Sequence, residues 1–274
     1  MDAALDDIEF LVSSNHRVNV LSTLTKRPSS RNDLRDATGA SSPTMGRVLT
    51  DLEDRNWIEK DGHTYHLSGL GEFVADRFRE FLDSMILEQR LRPISPWLPY
   101  DLDEFSVDLF IDAVVSYPGP GYPYEPMQRL TQIAEQSETY RGMGMVMLKS
   151  SALDVYFDGV FKGYEYEVVY PPDVFETLLA WNRAKVTDAV AHDNYTVFLH
   201  DGLPNSEWCG LCLFDDCVSI CCYEPDTGML RSLIDTAGPQ AYRWGEALFE
   251  RYKTEARPLD EADDLISVES PLNR

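Results

Sequence analysis

The sequence predicts an α/β protein in two parts: a small α+β unit of helices and one hairpin, then a larger C-terminal α/β sandwich. Three observations carry this. Between Ser41 and Gly71 a helical period gives way at once to two short strand-like runs around Asp61-Gly62. From Asp101 onward strand-like and helical segments alternate, as they do where helices cover a sheet. Between these regions Pro93, Pro96 and Pro99 interrupt any regular element and mark a boundary. At 274 residues two domains are the natural prior, and 43% hydrophobic residues suffice to fill both cores.

The first unit, residues 1–75, is built in order. Asp6 to Lys26 carries Ile8, Leu11, Val12, Val18, Leu21 and Leu24 on a helical period that Pro28 ends. Ser30-Arg31-Asn32-Asp33 opens a short helix in the manner of a capping box, with Leu34 and Ala37 turned inward. Gly39 makes the turn into the next helix, where Ser42 reads as the N-cap and Pro43 as the first helical residue. Met45, Val48, Leu49 and Leu52 form its buried stripe, while Pro43, Thr44 and Arg47 face the other way. Trp57 to Lys60 and His63 to Leu67 then flank the turn Asp61-Gly62. A helix-turn-helix whose second helix runs into a small hairpin is a winged helix-turn-helix. Residues 8 to 71 resemble that of ArsR-type transcription regulators, which implies double-stranded DNA as a partner. The candidate contacts are Arg31 and Arg35 on the positioning helix, Ser42, Pro43, Thr44 and Arg47 on the recognition helix, and Lys60 and His63 around the wing.

The charge is unusual for a DNA binder. The net formal charge is −23, and residues 1–75 hold eight Lys or Arg against twelve Asp or Glu. The acid is therefore spread along the chain rather than held in a tail. Only six residues are lysine, and a dispersed acidic surface with scarce lysine resembles the proteins of haloarchaea. At ~1 M salt the Debye length is ~3 Å, which screens repulsion from DNA and also removes most of the counterion-release gain of basic patches. Binding must then lean on base edges, helix termini and groove fit.

Glu72 to Leu91 continues as a helix. Val74, Phe78, Phe81, Leu82, Met85 and Ile86 give it an apolar face wider than a small winged unit covers, which points to a homodimer seam or packing on the next domain. Residues 76–100 are thus a linker and dimerisation segment, 101–258 an α/β sensor or oligomerisation domain, and 259–274 an acidic flexible tail. Within 101–258 the expected strands are Leu109–Ser116, Met143–Leu148, Tyr164–Tyr170 and Tyr195–His200, with a hairpin over Leu211–Tyr223. The expected helices are Met127–Gln136, Ser151–Lys162, Pro172–His192 and Pro239–Ala256. Tyr195, the run Leu211-Cys-Leu-Phe-Asp-Asp-Cys-Val, Gly228, Ser232 and Ala241-Tyr-Arg-Trp-Gly-Glu-Ala-Leu-Phe-Glu-Arg-Tyr resemble the middle domain of the FilR-type methanogenesis regulatory proteins. That resemblance implies a sensor or oligomerisation half following an N-terminal winged helix.

Five cysteines, Cys209, Cys212, Cys217, Cys221 and Cys222, crowd one hairpin. With Asp215-Asp216 as a two-residue turn, Cys212 lies across from Ser219 and diagonal to Cys217 and Cys221, while Cys209 pairs with Cys222. Trp208-Cys-Gly-Leu-Cys212 lacks the helix that would activate a redox dithiol, so these thiols read as small buried hydrophobes, with a redox or soft-metal sensor as the alternative. Tyr117, Tyr122 and Tyr124 in a Pro-Gly loop are the candidate ligand pocket for a small-molecule effector. There is no phosphate loop, no His-Glu-x-x-His pair and no Gly-x-Ser-x-Gly elbow, so neither enzyme activity nor a metal or cofactor is expected. No apolar run approaches the ~18 residues of a membrane span, and no signal-peptide pattern opens the chain, so a cytoplasmic location is expected. The expected function is a sequence-specific transcription regulator. The competing reading is an α/β binding module or enzyme whose winged helix serves protein contacts.

Overall fold

The computed structural model describes residues 1–100, 102, 104–144, 151–203, 209–224 and 229–259, and of residues 151, 152 and 209 the backbone only. The chain divides into two compact units that meet between Met85 and Ile86. The division falls inside a helix instead of at the Pro-rich stretch.

The first unit contains α1 (Asp2–Val12), α2 (Asn15–Leu24), β1 (Ser29–Ser30), α3 (Arg31–Thr38), α4 (Ser42–Glu53), β2 (Ile58–Asp61), β3 (Thr64–Leu67) and the first turns of α5 (Gly69–Leu91). The helix expected over Asp6–Lys26 is therefore two. Ser14 is extended (φ −149°, ψ 108°) and precedes α2, because consecutive Ser-Ser-Asn favours turns and caps over helix interior. Arg17 Nη1 donates to Phe10 O (2.7 Å) and Ser13 Oγ (3.0 Å), which holds the corner. The break leaves Ile8 and Val12 exposed, whereas Leu11, Val20, Leu21 and Leu24 are buried. Leu34 is buried as expected, but Ala37 is exposed and Ala40 fills the inward position. Met45, Val48, Leu49 and Leu52 of α4 are all buried against Trp57, Ile58 and Tyr65. Two residues of β1 add a third strand, pairing antiparallel with β3 at Ser29–Tyr65 and Ser30–Thr64.

In the second unit the Pro-rich stretch forms a 3-10 turn over Arg92–Trp97. The strands are β4 (Val114–Ser116), β5 (Thr139–Met143), β6 (Glu165–Tyr170), β7 (Tyr195–Leu199), β8 (Cys209–Leu213), β9 (Val218–Tyr223), β10 (Leu230–Thr236) and β11 (Arg257–Pro258). Among the described residues they form one mixed sheet in the order β11-β7-β6-β5-β8-β9-β10-β4. The helices are α6 (Glu125–Glu135), α7 (Ser151–Lys162), α8 (Pro172–Val190) and α9 (Pro239–Glu255). β5, β6 and β7 run parallel, linked through α7 and α8, while β8, β9, β10 and β4 are antiparallel neighbours.

Side chains alternate across this sheet as strand geometry requires. Met143, Val169, Leu211, Leu213 and Ile220 pack under Trp244, Leu248 and Phe249 of α9. On the opposite face Val168, Tyr195 and Val197 meet Phe157 of α7 and Phe175 and Leu178 of α8. Cys212, Cys221 and Leu233 meet Leu130 and Ile133 of α6.

Several boundaries differ from expectation. The apolar run at Leu109–Ser116 yields a 3-10 turn over Val107–Phe110 and then only the short edge strand β4. β5 lies upstream of the expected Met143–Leu148, whose positions 145–148 are outside the described residues, as is Gly228. α8 is kinked at Asn182 (φ −157°, ψ 81°), whose Oδ1 accepts a hydrogen bond from Lys185 N and so recaps the helix beyond the break. β10 has no counterpart among the expected strands. Of the expected acidic tail, 260–274 lie outside the described residues.

Candidate nucleic-acid interface

Helix α3 starts on a complete capping box. Ser30 Oγ accepts from Asp33 N (3.2 Å), and the Asp33 carboxylate accepts from Ser30 N (3.0 Å) and Ser30 Oγ (2.7 Å), which holds its pKa below the usual carboxylate value. Gly39 closes α3 in the left-handed conformation at φ +67°. The N-cap of α4 is Ser41 rather than Ser42. Its side chain accepts from Thr44 N (3.3 Å) and meets Thr44 Oγ1 at 2.8 Å, so Pro43 occupies the second helical position. The wing is displaced by one residue as well: Asp61 pairs with Thr64, so the turn is Gly62-His63, and Gly62 supplies the positive φ (+56°) that primed hairpin turns need.

The candidate contacts gather on one unit but differ in environment. Ser42, Pro43, Arg47, Lys60 and His63 are exposed, and Thr44 and Arg35 are half-buried. Arg31 is already engaged. Its Nη2 donates to Ser42 O (2.7 Å) and approaches Ser42 Oγ (3.4 Å), crossing Gly46, where a Cβ would lie 2.9 Å from that nitrogen. It clamps α3 to the start of α4 and keeps the other guanidinium donors for a second partner. Lys60 Nζ lies 5.6 Å from the ring centre of Tyr65 on the neighbouring strand. The Arg47 side chain has no hydrogen bond or ion pair among the described residues. Two other basic residues of the unit, Arg17 and Arg55, are spent internally. Arg17 pairs with Asp51 and Arg55 with Asp7, each at 3.1 Å, and both guanidinium groups sit over Phe10, 3.8 and 3.5 Å from its ring centre.

In the second unit Tyr117, Tyr122 and Tyr124 are exposed, the last two by 70% and 72%. A narrow cavity of about 70 Å³ lies between the sheet and α7–α8, with six tyrosines in its wall: Tyr140, Tyr156, Tyr166, Tyr170, Tyr195 and Tyr223. Its sequence signal was the alternation of Tyr140, Gly142 and Gly144, which puts a tyrosine and two gaps on one face of β5.

The cysteine hairpin has the register that its two-residue turn requires, with Cys212 opposite Ser219 and Cys209 opposite Cys222. Cys212 and Cys221 are buried with Sγ atoms 3.9 Å apart, and Tyr140 Oη lies 3.6 Å from Cys212 Sγ. The hydrogen bond between the two thiols holds Cys212 below the usual thiol value and pushes Cys221 well up. Burial raises Cys217 to about 11 and Cys222 to about 12. Among the described residues no group of three or more His, Cys, Asp or Glu could hold a metal ion, and no helix is long and apolar enough to cross a membrane. His200 Nε2 lies 3.5 Å from the Glu255 carboxylate at the end of α9.

By its geometry the first unit is a winged helix-turn-helix, and it stands ahead of an α/β unit built on a mixed sheet. Residues 5–90 match the family model of the HVO_A0261 N-terminal domain. Residues 123–255 match the model of the middle domain of methanogenesis regulatory protein FilR1. A methanogenesis regulatory protein FilR1 from Methanothrix harundinacea (strain 6Ac) is 23% identical over 290 residues, covering 93% of this chain and 58% of that relative, so the chain spans little more than half its length. The FilR-type resemblance of the C-terminal residues is therefore met by both comparisons. Among solved structures, the archaeal chromatin protein TrmBL2 aligns over 93% of this chain and 99% of its own at 12% identity, TM-score 0.43. NucT from Helicobacter pylori aligns over 54% of this chain and 98% of its own at 10% identity, TM-score 0.43.

Proposed function

We propose that the protein is a cytoplasmic transcription regulator that binds double-stranded DNA sequence-specifically as a homodimer, with an ArsR-like winged helix and a C-terminal unit that senses an effector. The observation that carries this reading is the distribution of basic side chains. Those behind α4 are neutralised by Asp51 and Asp7, whereas Arg47 and Lys60 stand exposed and unneutralised beside Ser42 and His63. A helix N-terminus with hydroxyls, one free arginine and a flanking wing suits a recognition helix in a major groove. The acidic remainder and scarce lysine fit the salt-rich cytoplasm of a halophile, in which close contacts carry the binding.

The homodimer rests on an apolar groove of about 440 Å³ between α1 and α5, lined by Ile8, Leu11, Phe73, Phe78 and Phe81. Phe73 and Phe81 are more than half exposed, a surface that a second copy would cover. In this reading the chain performs no catalysis. The test is a mobility-shift titration on the protein's own promoter in molar potassium salt. Binding that survives competition by unrelated DNA supports the reading, and equal affinity for every sequence would overturn it.

A further inference from the structure

The tyrosine-walled cavity runs along the helix-covered face of the parallel strands, from Tyr140, Tyr166 and Tyr195 near the starts of β5, β6 and β7 to Gly144 after β5 and Tyr170 at the end of β6. Glycine lets two of its tyrosines lie close against the backbone, for a Cβ on Gly144 would come within 2.6 Å of the Tyr170 ring and one on Gly159 within 2.3 Å of Tyr166 Oη. It also holds a hydroxyl without a well-formed hydrogen bond, because Tyr156 Oη is buried and meets only the Cys212 thiol, whose pKa it helps to lower.

The wall chemistry limits the occupant. Among the described residues no charged side chain lines the cavity, so from these walls an anion would lose its hydration without gaining a cation and a cation would find no carboxylate. Burial raises the hydroxyl pKa values, to about 12 at Tyr166 and Tyr170, so these phenols remain neutral donors at any physiological pH. The space of about 70 Å³ is roughly half of the ~150 Å³ that holds benzene. A six-membered ring therefore needs one wall residue to swing aside. Tyr156 is the residue placed to do so, since it is half-buried on α7 and no well-formed hydrogen bond holds its hydroxyl.

We infer that this cavity binds an uncharged molecule the size of a single six-membered ring whose oxygen accepts a hydrogen bond from Tyr156 Oη. The inference deepens the sensor reading above and rests on it for the regulatory consequence, in which displacement of Tyr156 moves α7. Binding itself is measured without DNA, so the two can fail separately. The experiment is calorimetric titration of the full chain with acetophenone as probe, alongside benzoate and benzylamine as charged counterparts. Saturable one-to-one binding of acetophenone alone is expected. Tyr156→Phe should weaken it about tenfold while leaving the circular dichroism spectrum unchanged, and Leu153→Trp should block it by filling the cavity. Absence of saturable binding to the folded protein, equal binding of benzoate, or undiminished affinity in Tyr156→Phe would overturn the inference. Acetophenone that binds yet leaves promoter affinity unchanged keeps the site and removes its regulatory role.

Discussion

Arg31 and Arg47 are equivalent in the sequence and distinct in the fold, and mutation should separate them. Arg47→Ala removes a side chain with no internal partner, so stability should hold while affinity for the best operator falls by ~1–3 kcal/mol and preference relaxes at one base pair. Uniform weakening on all sequences would assign Arg47 to phosphate. Arg31→Ala also breaks the bond to Ser42 O, so thermal stability should drop together with DNA affinity. Gly71 has a purely steric role, since a Cβ there would lie 1.8 Å from Trp57 O, and Gly71→Ala should cost ~1–3 kcal/mol by chemical denaturation. Asp215 carries a pH signature. Burial pushes its carboxyl up, but hydrogen bonds from Thr139 Oγ1 (2.7 Å) and from the backbone N–H groups of Glu138 and Thr139 outweigh this and hold it below the usual value. Its contribution is therefore complete at neutral pH and fades as the pH falls from about 4 through the lowered folded value. Asp215→Asn should lose that contribution at pH 7, and the gap between parent and variant should narrow on acidification.

At the scale of elements, α5 offers the sharpest test. Val74 and Phe78 turn into the first core and Leu87 and Leu91 into the second, leaving Phe73, Phe81, Met85 and Ile86 exposed. Phe81→Glu would place a charge in the proposed seam and shift the protein towards monomer, whereas an unchanged dimer by light scattering would exclude α5 from the interface. The cysteine hairpin should be inert: Cys217, the one partly exposed thiol among the described side chains, is pushed up to about 11 by burial, so labelling by a thiol reagent at neutral pH should be slow. The elements legible in the sequence were those with a strong local period or turn. The stripe Met45–Leu52 and the two-residue turn Asp215-Asp216 are of this kind. What escaped is decided by distant partners. Ile8 and Val12 share the period of Leu11, and only the corner at Ser14 turns them outward. β4 exists because it pairs with β10, more than a hundred residues downstream, which no window of sequence contains. The tyrosine cavity escaped for the same reason, since Tyr140, Tyr170 and Tyr223 come from three separate strands.

For the molecule as a whole, salt dependence follows from how few cations face the proposed DNA surface. With Arg31, Arg35, Arg47 and Lys60 as the candidates on each subunit, and a slope of about −0.9 per neutralised phosphate, affinity should fall less steeply with salt than for a conventional basic regulator. The sheet carries a consequence of another kind. More than a hundred residues separate Val115 of β4 from Ile234 of β10, its partner at the sheet edge. During synthesis β4 leaves the ribosome early and waits unpaired until nearly all of its unit has emerged, whereas the strands of the wing find their partners within a few residues. The winged helix can thus be complete while its companion is still a nascent chain. Translation speed through the intervening segment, rather than equilibrium stability, would then set how much of the second unit reaches its native pairing.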